Sequence, residues 1–253
     1  MTSGCEAAFD AAILSLIATG ERQPAAAAGT TDWSLAPVRP RWATGRAYVG
    51  AVSQLYHGER ATARACHHLG LVLPEPAAIR FVASQARDEA RHAHLYARYL
   101  ARLGDIAPVD QALAGALDGA LGRHDSAAAM MVAFNVVLEG EAVLLQGAVA
   151  RAAPCPLLRR IAATVARDEA RHVAFGELYL TRALARLGLE ERRAIYLDVH
   201  ALWRDVARPN AADNRRGAIL RRAWRGYMAA RWRVHCRTFG RIGLIRPGEA
   251  FER

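Results

Sequence analysis

From about residue 42 onward, apolar residues recur every three or four positions along long stretches broken by Gly and Pro, the period of amphipathic helices. The pattern predicts a short helix over 5–19 and an extended connector over 20–41, where GERQPAAAAGTTDWSLAPVRPR is dense in Pro, Gly and Thr. A long helix follows over 42–69 and closes at Gly70. Pro76 suits the first turn of a second helix, which runs to Leu103 ahead of Gly104. Residues 105–123 hold a weak short helix and read as a crossover. Asp125 or Ser126 then caps a third long helix to Ala152, and a fourth runs past Pro156 to Leu187. Two more helices, over 190–207 and 211–239, complete the chain.

Short turns within each pair of long helices make antiparallel hairpins, and the longer link between pairs is the pattern of a four-helix bundle with one crossover. The expected fold class is therefore all-α, a bundle over 42–187 preceded by the N-terminal helix and connector of 1–41 and followed by C-terminal helices over 188–253.

One heptapeptide occurs twice. ARDEARH spans 86–92 and again 166–172, placing Glu89 with His92 and Glu169 with His172. A Glu and a His three residues later share one helix face. Alone that spacing is common, but Glu59 in LYHGERA stands 30 residues before Glu89, and Glu139 in VLEGEAV stands 30 before Glu169. Thirty residues is the chain needed to climb one helix, turn, and descend the next to the same level. Two surface clusters of salt bridges would explain the charges but not this shared offset. Glu141, two residues beyond Glu139, points away from it on a helix, and only Glu139 keeps the 80-residue offset from Glu59.

Four carboxylates and two imidazoles thus meet at one depth of the bundle. Burying unpaired charges costs on the order of several kcal/mol each. Two divalent cations would neutralise them. Oxygen-rich ligation with one imidazole per ion suits iron or manganese better than zinc.

On these motifs the chain resembles the ferritin-like di-iron carboxylate superfamily. The resemblance is nearest to the ribonucleotide reductase small subunit and its oxidase and oxygenase relatives, and it spans roughly 42–187. It implies two Fe ions, or a Mn/Fe pair, held by Glu59, Glu89, His92, Glu139, Glu169 and His172, with O2 as oxidant. It implies that Asp88 and Asp168 orient the histidine of the opposite hairpin. Tyr96, four residues after His92, stands where the reductase carries its radical tyrosine. The resemblance implies either a redox role there or a packed phenol bonded to Glu59 or Glu139. The p-aminobenzoate N-oxygenases of the superfamily carry an additional His one turn before the last Glu. Val165 occupies that place, which speaks against that subclass. Positions such as Tyr56, Ala63, Gln85, Gln146 and Gly176 would face a substrate cavity.

The implied activity is oxidation of a small or carrier-bound organic molecule with O2, by hydroxylation, N-oxygenation or desaturation, with electrons from an external donor. Iron oxidation or peroxide scavenging, as in ferritins and rubrerythrins, is the alternative from another class, and a reductase-type radical subunit is a third.

Charge adds one surface. The net charge of +10 comes from arginine without lysine, and nine arginines from Arg215 to Arg241 occur with no Asp or Glu among them. Such a run suits an acidic partner or a solvated helix face. The scattered cysteines Cys5, Cys66, Cys155 and Cys236 suit a reducing compartment. A cytoplasmic protein, alone or as a homodimer, is the expectation. No stretch is expected to reach the run of about 20 apolar residues that spans a bilayer.

Overall fold

The computed structural model describes residues 3–22, 31–41, 43–123, 126–207, 218–249 and 251. All regular elements among them are helices, and the architecture is the expected all-α, ferritin-like bundle. The residues group into two compact units, 1–109 with 138–175 and 110–137 with 176–253.

The first unit contains the bundle. Helix α1 (Ser3–Arg22) packs against α3 (Pro76–Leu100). Helix α2 (Gly45–Val72) begins where Thr44 accepts a hydrogen bond from the Ala47 amide at 3.2 Å, the usual device for an orphan N–H. It does not stop at Gly70. The helix continues to Val72 because Gly70 keeps ordinary helical geometry, and it ends at Leu73, which Pro74 forces to be extended (φ −71°, ψ 134°). Pro76 opens α3 as expected, and α2 and α3 pack together along their length.

Residues 31–41 form an irregular connector with a turn at 33–35, where the Leu35 amide donates to the Asp32 carbonyl, and contacts from the end of α3 tie it down. Arg102 donates to the carbonyls of Trp33 and Leu35 at 3.0 and 2.7 Å, and the Arg98 guanidinium lies 4.0 Å over the Trp33 ring. Beneath them Tyr48, Tyr99, Leu100, Leu157, Ile161 and Val165 form a buried core in which the Tyr48 and Tyr99 hydroxyls share a 2.8 Å hydrogen bond.

In the second unit Asp110 caps α4 (Gln111–Leu121), and Ser126 caps α5 (Ala127–Met131) by accepting from Ala129 N at 3.2 Å. Asp125, the other expected cap, lies outside the described residues. Helix α5 runs into a π-helical stretch, Val132–Leu138, which ends at the residue before Glu139. No feature of the amino-acid pattern announces it. Helices α6 (Glu139–Ala152) and α7 (Pro156–Leu184) follow; α6 and α7 up to Phe175 belong to the first unit, and the second resumes at Gly176. Gly176 of α7 is required where it stands, since a β-carbon there would meet Asn135 Cβ at 2.5 Å. Helices α8 (Leu189–Ala207) and α9 (Ala218–Ile242) bury Tyr196, Trp203, Trp232 and Phe239. Nearby, Arg192 holds Glu249 in a two-point ion pair at 2.7 and 2.6 Å.

The expectation that no stretch has the length and apolarity of a bilayer span needs correcting. The continuous helical stretch Ala127–Ala152 meets it, containing an 18-residue window with a mean hydropathy of 1.7. Its apolar character has a local reason, since 56% of that window is buried within the protein.

Candidate metal centre

The six residues singled out by the repeat converge inside the first unit. Glu59 comes from α2, Glu89 and His92 from α3, Glu139 from α6, and Glu169 and His172 from α7, all essentially buried. Their ligand atoms form two groups, Glu59–Glu89–His92–Glu169 and Glu89–Glu139–Glu169–His172, each with its atoms within 4.8 Å of one another. Glu89 and Glu169 belong to both groups, as carboxylates bridging two ions would. Glu141 is only half-buried and joins neither.

Both imidazoles point the same way. His92 Nδ1 lies 3.3 Å from Glu59, 3.6 Å from Glu89 and 3.5 Å from Glu169. His172 Nδ1 lies 3.0 Å from Glu89, 3.4 Å from Glu169 and 3.8 Å from Glu139. The Nε2 atoms face outward, 3.0 Å from Asp168 for His92 and 3.4 Å from Asp88 for His172. A proton donated from Nε2 to an aspartate leaves the Nδ1 lone pair aimed at the carboxylates, the tautomer that a metal-binding histidine needs.

Two arginines from the repeated heptapeptide complete this shell. Arg91 donates to Asp88 and to Asp168, at 2.7 Å each. Arg171 donates to Asp88. Their identical place in both copies of ARDEARH is the signal that could have found them. Gln85 also does more than line a cavity: it is fully buried and donates to Glu139 Oε1 at 2.5 Å.

Without cations the arrangement is electrostatically costly. Burial, then the neighbouring Glu169 carboxylate, pushes Glu59 well above the usual carboxylate range despite the hydrogen bond to His92. Burial also raises Glu139 well above that range, against the pull of His172 and with the push of Glu169, Glu89 and Glu59. Burial alone would lower the histidines, yet the surrounding carboxylates raise both His92 and His172 well above their ordinary value. Burial works against ionised Asp88 and Asp168 too, but their histidine and arginine partners hold both below the usual range. The cluster thus retains protons where divalent cations would serve, and its oxygen-rich donor set fits a pair of hard or borderline ions.

Tyr96 is fully buried, and its hydroxyl forms no hydrogen bond to Glu59 or Glu139. Burial and then the Glu59 charge raise its pKa well above that of an ordinary phenol, which keeps it protonated. Beside the centre, a cleft of about 440 Å³ lies between α2 and α3. Ala63, Ala90, Ala93 and Ala97 give it an apolar lining, Glu89 lines its inner end, and Arg60, Arg64, His67 and His94 stand around it.

The family described as P-aminobenzoate N-oxygenase AurF matches residues 71–222. The chain belongs to this family. As an AurF-family protein it is a ferritin-like di-iron oxygenase by kinship. The match includes Glu89, His92, Glu139, Glu169 and His172, while Glu59 precedes it. No curated protein and no solved structure matches the chain significantly. Membership overturns the exclusion drawn from Val165. One ligand position does not define a family recognised over more than half of the chain. Val165 is fully buried in hydrocarbon, and each of the two groups of candidate ligands contains one histidine.

Proposed function

We propose that the protein uses two iron ions and O2 to oxidise the nitrogen of a small aromatic amine. The observation that carries this reading is the pair of ligand groups sharing Glu89 and Glu169, found in a chain of the N-oxygenase family. Glu59 and His92 would complete one ion's shell, and Glu139 and His172 the other's. Iron bound there supplies the O2 chemistry. The chain's own residues neutralise the ions, fix both imidazoles through Asp88 and Asp168, and exclude water by burial.

The cleft between α2 and α3 supports an approach to the Glu89 edge. Its alanines leave room for a flat ring, and Arg60 and Arg64, which form no ion pair among the described residues, suit a carboxylate on the substrate. Electrons would come from an external donor. On α9 the exposed Arg222, Arg225 and Arg233 accompany the exposed Trp224–Tyr227 stack, which supports docking of an acidic partner there. Arg215 and Arg216 lie outside the described residues.

The test is anaerobic Fe(II) titration of the metal-free protein, followed by O2 and an aromatic amine, with products separated by chromatography. Saturation at two irons per chain with hydroxylamine or nitro products supports the reading. Continued oxidation of many irons per chain would mean iron storage instead.

A further inference from the structure

The two halves of the centre are related by the repeat, but their outer shells are not alike. Arg91 is 29% exposed, whereas its counterpart Arg171 is 4% exposed. The difference is α1. Its last turn lies over Arg171, and at the point of contact stands Gly20. A β-carbon there would meet the guanidinium carbon at 2.6 Å and Nε and Nη1 at 2.9 Å. The guanidinium is the far end of a flexible side chain, so it would give way, but its present contacts would be disturbed. On another side lies the Phe81 ring, 5.5 Å away and itself stacked on Phe175 at 3.9 Å, and its Nη2 is bound to Asp88. Nε and Nη1 have no hydrogen-bond partner and are buried near the C-terminal end of α1, whose dipole favours a cation.

We propose that α1, through Gly20, seats Arg171 on Asp88 and so orients His172, making Gly20 a positioning residue for one metal site of two. This rests on the two-metal reading above. The chain of contacts runs from Gly20 to Arg171, from Arg171 to Asp88, and from Asp88 to His172 Nε2 at 3.4 Å. Among the described residues no glycine is packed on Arg91 in this way, so α1 does not act directly on the outer partner of the group containing Glu59 and His92. The absence of a side chain at residue 20 therefore sets the affinity of the group containing Glu139 and His172 without any contact to a ligand.

The experiment is Co(II) titration of the full-length metal-free protein, followed by visible absorbance, for the wild type, Gly20→Ala, Arg171→Gln and the double variant. Two ions in the wild type are the baseline; fewer would sink the two-metal reading itself, separately from this inference. In Gly20→Ala one ion should bind about 10- to 100-fold more weakly, the usual effect of disturbing a ligand's outer partner, and the other should be unchanged. Arg171→Gln should weaken the same ion. The double variant should be no worse than Arg171→Gln, because the methyl group added at position 20 then has no guanidinium to displace. Equal weakening of both ions, additive losses, or an unchanged titration in either single variant would overturn the proposal. Should Gly20→Ala fail to fold, Arg171→Gln alone decides: two native affinities there refute the relay.

Discussion

Asp168 of α7 places Oδ2 3.0 Å from Nε2 of His92 on α3, so the histidine of one hairpin is oriented by the other hairpin. Asp88 returns the relationship to His172 at 3.4 Å. Neither hairpin can prepare its own imidazole. Asp168→Ala should therefore weaken one metal ion by about 10- to 100-fold while the fold persists, and Arg91→Gln, which removes a donor to both aspartates, should weaken both ions. Metal titration monitored by absorbance checks each. Native affinity in Asp168→Ala would remove the aspartate from the centre.

Gln85 is the buried donor to Glu139. Gln85→Leu keeps the volume roughly but leaves a carboxylate oxygen without that donor, which costs about 1–3 kcal/mol. Urea unfolding of the metal-free protein should show a loss of that size. A stability equal to wild type would mean that the hydrogen bond contributes nothing net.

Protons and metal compete for the same atoms. Burial disfavours charged His92 and His172, but the carboxylates around them raise both pKa values, and burial with neighbouring charges raises Glu59 and Glu139. Groups raised in the folded state contribute stability that is present below their unfolded values and is lost as pH rises through the folded ones. The chelated protein should therefore lose melting temperature as pH climbs above about 4.3, the ordinary glutamate value, and further above about 6.5, the ordinary histidine value, whereas metal-loaded protein should not. Metal uptake should release protons, measurable by calorimetry in buffers of different ionisation enthalpy. Proton-neutral binding would contradict the charge state argued for the empty cluster.

The second unit offers a prediction of opposite sign. The Arg192 hydrogen bonds hold Glu249 down to about 2. A depressed carboxyl contributes stability above its unfolded value and loses it as pH falls toward the folded one. Between about pH 4 and the folded value of about 2, the amide of Arg246, which donates to Glu249 Oε2 at 2.8 Å, should progressively lose protection, exchanging faster relative to its intrinsic rate at each pH. Glu249→Gln should show fast exchange already at neutral pH. Identical exchange in both proteins would mean that the ion pair does not hold this segment.

How much of this is legible in the sequence follows from which residues act through local periodicity. Glu59, Glu89, His92, Glu139, Glu169 and His172 can be grouped because helix geometry converts sequence offsets into height and face. Pro76 and Ser126 are readable as helix-start residues for the same local reason. Gly70 misleads, because a glycine stops a helix only when the next residues demand it, and the demand comes from Pro74. The seating of Arg171 under Gly20 joins the first helix to the second copy of the repeat, and no period connects them. Val165 misleads in another way: a single departure at a ligand position counts for less than the similarity of the whole framework.

The π-helical stretch Val132–Leu138 amounts to a phase adjustment placed just ahead of Glu139. Each residue added to or taken from an α-helix rotates everything beyond it by about 100°. Letting these same residues relax to ordinary turns, with none deleted, would swing Glu139 off the interior by about one residue's rotation. The helix would survive such a change while a ligand left the centre. A lineage could thus retire the chemistry by substitutions in this stretch and keep the scaffold, and an engineer could use the same change to obtain a folded, catalytically silent reference protein.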